Sequence, residues 1–354
     1  MSDAALPAKP LGNAPVAEAL PLVRVIIVNH NGGATIERCL SHLLAQTEHR
    51  FEAIVVDNAS TDGSLASLPV DSRIEVLRLG TNTGFAAACN AGFAGCTAPL
   101  VAMLNPDAFP APDWLANLLA AAGRYPDFAM FGSLQRRTDA PGTLDGAGDV
   151  YFAAGAFYRG GYGDLIPTPP PEGEVFSPCA AAALYRSDAF SDAGGFDERY
   201  FCYAEDVDLA FRIRLTGGRA FQVGSAVVDH IGSATAGSGS EFSVYHLTRN
   251  QIWTFVKCMP GPLLAVLAPA HILLLAWIWF RSKRTGQDDV VARAIGDALR
   301  GIGPIWGTRR QVQGHRRASM LQLAKAMTWS PRALRQRAIV VWPCSTKSNR
   351  ESSQ

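Results

Sequence analysis

From Val23 onward, short apolar runs alternate with longer stretches of helical period. Residues 25–28, 53–56 and 100–104 are wholly apolar and 74–77 nearly so, the pattern of strands buried on both faces. Residues 35–46 and 83–94 fit helices between them. This alternation predicts a mostly parallel central sheet covered by helices, with any ligand beyond the carboxyl ends of the strands. Three runs end in polar residues there: Asn29-His30-Asn31-Gly32-Gly33, Asp57-Asn58-Ala59-Ser60-Thr61-Asp62-Gly63-Ser64 and Asn105-Pro106-Asp107. The first half of the chain alone therefore predicts a crevice lined by Asn29, Asp57 and Asp107. Residues 135–177 read as a loop-rich connection across that crevice. Residues 180–185 form a further buried strand, and 218–230 two short runs ending at Asp229-His230.

Between Tyr203 and Arg212 the chain reads Tyr-Ala-Glu-Asp-Val-Asp-Leu-Ala-Phe-Arg, three carboxylates in four residues among apolar neighbours. Gly194-Gly195-Phe196-Asp197 precedes it as a turn, and Arg212 stands four residues after Asp208, so those two can pair on one helix face. Glu205 and Asp206 then remain at a helix N-terminus, where the dipole favours anions and a carboxylate can act as a general base. A plain capped helix is the alternative.

Residues 263–280 carry no formal charge, and Trp277, Trp279 and Phe280 run into Arg281-Ser282-Lys283-Arg284. An aromatic belt before a basic flank predicts a segment embedded in a bilayer, re-entrant or spanning. From residue 281 onward fifteen Lys/Arg face four Asp/Glu, whereas the whole chain is only +1. A basic tail on an acidic body suits a polyanionic surface. With Trp306, Trp329 and Trp342 among its arginines, this tail is expected to lie as a helical hairpin on anionic lipid rather than on nucleic acid. Arg249, Asn250 and Lys257 are candidate contacts to a diphosphate-lipid. Residues 1–21, rich in Ala and Pro, lack the features of a signal peptide and read as a disordered leader. The seven cysteines form no CxxC pair, consistent with reduced thiols in a cytosolic compartment.

Neither a G-x-G-x-x-G turn nor a G-x-x-x-x-G-K-[ST] loop is present, so Rossmann-type and P-loop phosphate binding are unsupported. A divalent cation held by carboxylates is the remaining way to hold nucleotide phosphates. At this point the series Val28-Asn29-His30-Asn31, Val56-Asp57-Asn58-Ala59-Ser60-Thr61-Asp62-Gly63-Ser64, Asn82-Thr83-Gly84-Phe85, Asn90, Leu104-Asn105-Pro106-Asp107, Gly194-Gly195-Phe196-Asp197, Glu205-Asp206-Val207-Asp208 and His230 resembles the family 2 inverting glycosyltransferases of GT-A fold. Within these it is most similar to the rhamnosyltransferase-like branch. The likeness covers about residues 22–260.

The resemblance implies roles. Asp57 would accept from the imide N–H of uracil or thymine, with Asn29 supporting the base and Asn82, Gly84, Asn90 and Asn105 lining the nucleotide-sugar site. Asp107 and His230 would hold Mg²⁺ or Mn²⁺, Asn105 standing where some relatives carry a second carboxylate. Asp206 would be the base, with Glu205 beside it. It further implies a nucleotide-sugar donor, dTDP-rhamnose in preference to a UDP-hexose, and a lipid-linked or cell-surface glycan acceptor. The expected organisation is a leader (1–21), a GT-A domain (22–260), an apolar membrane-embedded segment (261–284) and a basic helical tail (285–354), at the cytoplasmic face of the membrane. The alternatives from other classes are a non-catalytic nucleotide-sugar-binding relative and a nucleic-acid-binding protein resting on the tail.

Overall fold

In the computed structural model, residues 20–232 and 239–344 are described; nearly all of the expected leader and the last ten residues lie outside them. The first half follows its sequence pattern closely. Strands β1 (Val23–Asn29), β2 (Phe51–Asp57), β3 (Ile74–Arg78) and β4 (Leu100–Leu104) are parallel neighbours in the order β4-β1-β2-β3. Helices α1 (Thr35–Leu44) and α2 (Gly84–Phe93) connect them on opposite faces. Successive side chains of a strand point to opposite faces. Val25 and Ile27 therefore pack with Ile36 and Leu40 of α1, and Ile26 and Val28 with Ala86 and Cys89 of α2.

The second half holds β5 (Ala108–Pro110), α3 (Trp114–Arg124), β6 (Met130–Arg137), β7 (Leu144–Gly146), β8 (Asp149–Tyr151), β9 (Phe157–Arg159) and β10 (Gly173–Val175). After these come β11 (Ala182–Arg186), α4 (Ser187–Asp192), α5 (Glu205–Leu215) and β12 (Ala220–His230). One sheet runs β10-β12-β6-β11-β4-β1-β2-β3. It is more mixed than the opening βα units suggest, because β11 is antiparallel to both β4 and β6. β11 starts beside Leu104, at the carboxyl end of β4, and runs back to the amino edge.

Residues 135–177 are loop-rich, as expected, though short strands run through them: β7 pairs with β6, β8 with β9, and β10 with β12. Strands of three residues between glycines carry no readable period. Instead of the two short runs expected over 218–230, Ala220–His230 form one eleven-residue strand whose register shifts between Val223 and Val227, where Gly224-Ser225 interrupt the apolar run.

Beyond the sheet lie α6 (Glu241–Cys258), α7 (Gly261–Ser282), α8 (Asp288–Arg300) and α9 (Ile302–Gly314). The described tail is helical but packs on the catalytic domain. Trp253 Nε1 of α6 donates to the Ala298 carbonyl of α8 at 3.0 Å, and Arg309 Nη1 of α9 to that of Val256 at 2.7 Å. Trp342 exchanges two 2.9 Å backbone hydrogen bonds with Glu174 of β10. Helix α7 leaves most of its apolar surface uncovered.

Candidate active site

Helix α5 places three acids in its first turn and Arg212 and Arg214 in its last, the arrangement its dipole favours. Every residue of α5 is buried except Asp206. Asp206 Oδ2 accepts from the Ala180 amide at 3.0 Å and Oδ1 from the Val207 amide at 2.8 Å. Burial raises its pKa, only partly offset by those two amides and by the nearby Arg159 guanidinium. Glu205 is different: its Oε2 is buried without a hydrogen-bond partner, and burial followed by the Asp206 charge pushes its pKa well up. Asp208 is fully buried and pairs with Arg212 at 2.8 Å, as the i,i+4 spacing predicts.

The approach to α5 is strained. Phe201, Tyr203 and Ala204 all have φ between 66° and 70° without being glycine. Asn250 of α6, itself fully buried, holds them by donating to the carbonyls of Tyr200, Cys202 and Tyr203 at 2.7–3.0 Å. Arg249 donates to those of Arg199 and Tyr200. Lys257 is fully buried between Asp197 and Asp208, 2.8 Å from the latter. Arg249, Asn250 and Lys257 therefore do not face a lipid diphosphate; they brace the loop that presents Asp206. Gly84 meets the same loop, since a Cβ there would lie 2.5 Å from the Phe201 carbonyl oxygen.

Asp107 and His230 are brought together by backbone pairing. His230 of β12 is opposite Ala108 of β5, and the Ile231 amide donates to the Asp107 carbonyl at 3.1 Å. His230 Nε2 lies 3.3 Å from Asp107 Oδ1 but lacks the alignment of a hydrogen bond, leaving a buried nitrogen without a bonded partner. Its Nδ1 is bonded to Asp145 Oδ2 at 2.8 Å. A carboxylate behind a histidine whose other nitrogen faces a second carboxylate is an orientation that metal-ligating imidazoles use, so Asp107 and His230 fit a divalent cation. Burial opposes the charged imidazole, but the two carboxylates outweigh it and raise the His230 pKa.

Asp145 of β7, Asp149 of β8 and Arg159 of β9 were missed by reading the sequence. Asp145-Gly-Ala-Gly-Asp149, two carboxylates spaced by small residues, was the available signal. Arg159 pairs with Asp145 and also acts electrostatically on Asp149, Asp206 and His230, so it links Asp206 to the Asp107–His230 pair. Burial opposes ionisation of Asp145, yet His230 and Arg159 overcome it and lower its pKa. Ligand atoms of Asp149, Cys179 and Asp206 lie within 4.8 Å of one another. The buried Cys179 thiol, its pKa pushed up to about 12, is protonated and soft, which suits Mg²⁺ or Mn²⁺ poorly.

At the other end of the crevice Asn29 and Asp57 stand level across β1 and β2. Asn29 Nδ2 donates to Ser60 and Ser64 at 3.1 and 2.9 Å, and Asp57 Oδ1 accepts from the Ser60 amide at 3.1 Å. Asn82 Oδ1 accepts from Asn58 and from the Gly84 amide, forming a turn. The Asn90 side chain is engaged with both backbone groups of Phe196, 2.8 and 2.9 Å away, so it fixes the Gly194–Asp197 turn. Asn105 is half-buried at the end of β4, its amide bonded to the Ala181 carbonyl. A cavity of about 460 Å³ lined by Leu22, Arg50, Leu100 and Arg186 lies at the amino ends of the strands, remote from these groups.

The sheet order and the acids gathered at its carboxyl edge are those of a nucleotide-sugar transferase of GT-A fold. The chain belongs to glycosyl transferase family 2, whose profile matches residues 24–192, and it is a glycosyltransferase. It is similar to the N-acetylglucosaminyl-diphospho-decaprenol L-rhamnosyltransferase of Mycobacterium tuberculosis, 32% identical over 240 residues, 58% of this chain and 75% of that one. It is also similar to the pre-mycofactocin glycosyltransferase of that organism, at 30% identity over 70% of this chain and 48% of that one. Among solved structures, the mannosyltransferase PcManGT of Pyrobaculum calidifontis, in complex with GDP-Man and Mn²⁺, shares the fold. Its TM-score is 0.51 at 19% identity, covering 90% of this chain and 86% of that one. GalNAc-T7 with UDP, GalNAc and Mn²⁺ gives 0.53 at 16% identity, over 69% of this chain and 49% of that one.

Proposed function

We propose that this enzyme is an inverting, divalent-cation-dependent rhamnosyltransferase. In this reading it moves the sugar of dTDP-rhamnose to a hydroxyl of a lipid-linked glycan at the cytoplasmic face of a membrane. The observation that carries the chemistry is Asp206: it alone of α5 is not fully buried, with a raised pKa that suits a general base. The N-acetylglucosaminyl-diphospho-decaprenol L-rhamnosyltransferase to which the chain is similar supports the sugar and the acceptor class.

Asp57 accepts from the imide of the base and Asn29 backs it, while Asn82, Gly84 and Asn90 act by shaping the turns around the donor. Asn105 lines the sugar. Asp206 takes the proton of the acceptor hydroxyl as that oxygen bonds to the anomeric carbon from the face opposite the diphosphate. The bond to the diphosphate breaks with its electron pair, so the anomeric centre inverts and no enzyme nucleophile is needed. Glu205, buried beside Asp206, positions the start of α5. Mg²⁺ or Mn²⁺ on Asp107 and His230 would neutralise charge developing on the leaving diphosphate.

The test is transfer to a polyprenyl-diphosphate-linked N-acetylglucosamine from a panel of dTDP-, UDP- and GDP-sugars, with Mg²⁺, Mn²⁺ or EDTA. dTDP-rhamnose is expected to be consumed with a metal and not with EDTA. Preference for a UDP-hexose would correct the donor, and no consumption of any nucleotide sugar would overturn the reading.

A further inference from the structure

Helix α7 meets the protein with one side and solvent with the other. His271 Nδ1 bonds the Ala154 carbonyl at 2.7 Å, and its ring stacks on Phe255 of α6 with centroids 4.0 Å apart and planes 8° from parallel. Leu267, one turn earlier, is buried with it. The opposite side is an unbroken apolar stripe at helical spacing: Val266, Pro269, Ile272, Leu273, Trp277 and Phe280 are exposed. Ile272 and Leu273 are 64% and 71% exposed, so this is no core helix.

Both ends of the stripe carry tryptophan and cations. At the C-terminal end Lys283 and Arg281 sit over the rings of Trp279 and Trp277 at 4.1 and 5.3 Å. At the N-terminal end Trp306 and Arg310 of α9, with Arg316 just beyond it, border Gly261 around a cavity of about 440 Å³. The helix itself has no acidic residue.

We propose that α7 is a monotopic element that lies in the plane of an anionic phospholipid leaflet, with its exposed stripe in the acyl boundary and both ends on headgroups. A transverse helix would be surrounded by lipid. Because His271 holds the middle of α7 to Ala154 and Phe255, crossing the bilayer would drag the β8–β9 turn and α6 into hydrocarbon, where their polar backbone groups lose water. In-plane helices instead pair one apolar face with basic and aromatic flanks. The proposal deepens the membrane reading above but stands on α7 alone, and its test uses neither donor nor turnover.

The full chain is sedimented with vesicles of phosphatidylcholine alone or mixed with phosphatidylglycerol, at low and high salt, then extracted with alkaline carbonate. Binding is expected only with phosphatidylglycerol, weakened by salt and reversed by carbonate. The double variant Ile272→Glu/Leu273→Glu, at exposed positions, is expected to keep its thermal midpoint and bind about 100-fold more weakly. Carbonate-resistant binding, or equal binding to phosphatidylcholine, would mean a spanning helix. No vesicle binding, with a dimer that the double variant dissociates, would mean that a second copy covers the stripe. Either result overturns the proposal.

Discussion

Asp206 works under three opposing influences: burial, which raises its pKa, and the two backbone amides and Arg159, which lower it. As the proposed base, Asp206 must be ionised, so the rate is expected to rise with pH through this raised pKa. Arg159→Gln removes a cation that favours the ionised form. The acid limb of kcat is therefore expected to move further up in pH, with the rate loss largest at acid pH and smaller at alkaline pH; a kcat–pH profile of both proteins checks this. A limb that stays in place would mean that Arg159 serves Asp145 alone. Asp57, Asp107, Asp206 and His230 were legible at this scale because each ends or begins an element in a recognisable run. Arg159 and Asp149 were not, because their relevance arises only when the β8–β9 hairpin and the Ser177–Ala180 segment fold against α5. Asp149 gains its high pKa from burial first and from Asp206 second, and neither is visible along the chain.

Among the elements, the boundary between the strained loop and α5 carries most consequence. Three non-glycine residues with positive φ persist there because α6 over-determines them, with Asn250 supplying three hydrogen bonds and Gly84 allowing close approach. Asn250→Ala leaves buried carbonyls without donors and is expected to cost about 3 kcal/mol of stability. It should lower kcat more than donor affinity, since Asn29 and Asp57 stand on other elements. Asn250→Asp should not rescue it, because an ionised carboxylate accepts but cannot donate. Denaturation midpoints and separate kcat and KM values test this; a variant of wild-type stability would show that the loop holds itself. Reading residues 249–257 as lipid contacts failed for a physical reason. A polar helix near an apolar segment looks like a headgroup site in sequence, whereas here its polar side chains turn inward to satisfy irregular backbone.

For the molecule as a whole, the βα alternation and the polar strand ends in the first hundred residues suffice for the fold class and for the edge on which the site lies. The closing of that site is non-local. β12 brings His230 to Asp107 across more than a hundred residues, and the described tail folds back so that Trp342 extends the sheet at β10. Leu323 and Met327 of the tail share a core with Phe255 and Met259, so the tail belongs to the folded unit as well as to any membrane contact. The central claim is that this architecture exists to hold one base, Asp206, beside a bound donor. It is tested most directly by measuring donor affinity and transfer rate side by side for wild type and Asp206→Asn, with the thermal midpoint as a folding control. The expected result is unchanged donor affinity with turnover lower by about 10²–10⁴-fold. Turnover at the wild-type rate in a folded Asp206→Asn protein would contradict the account.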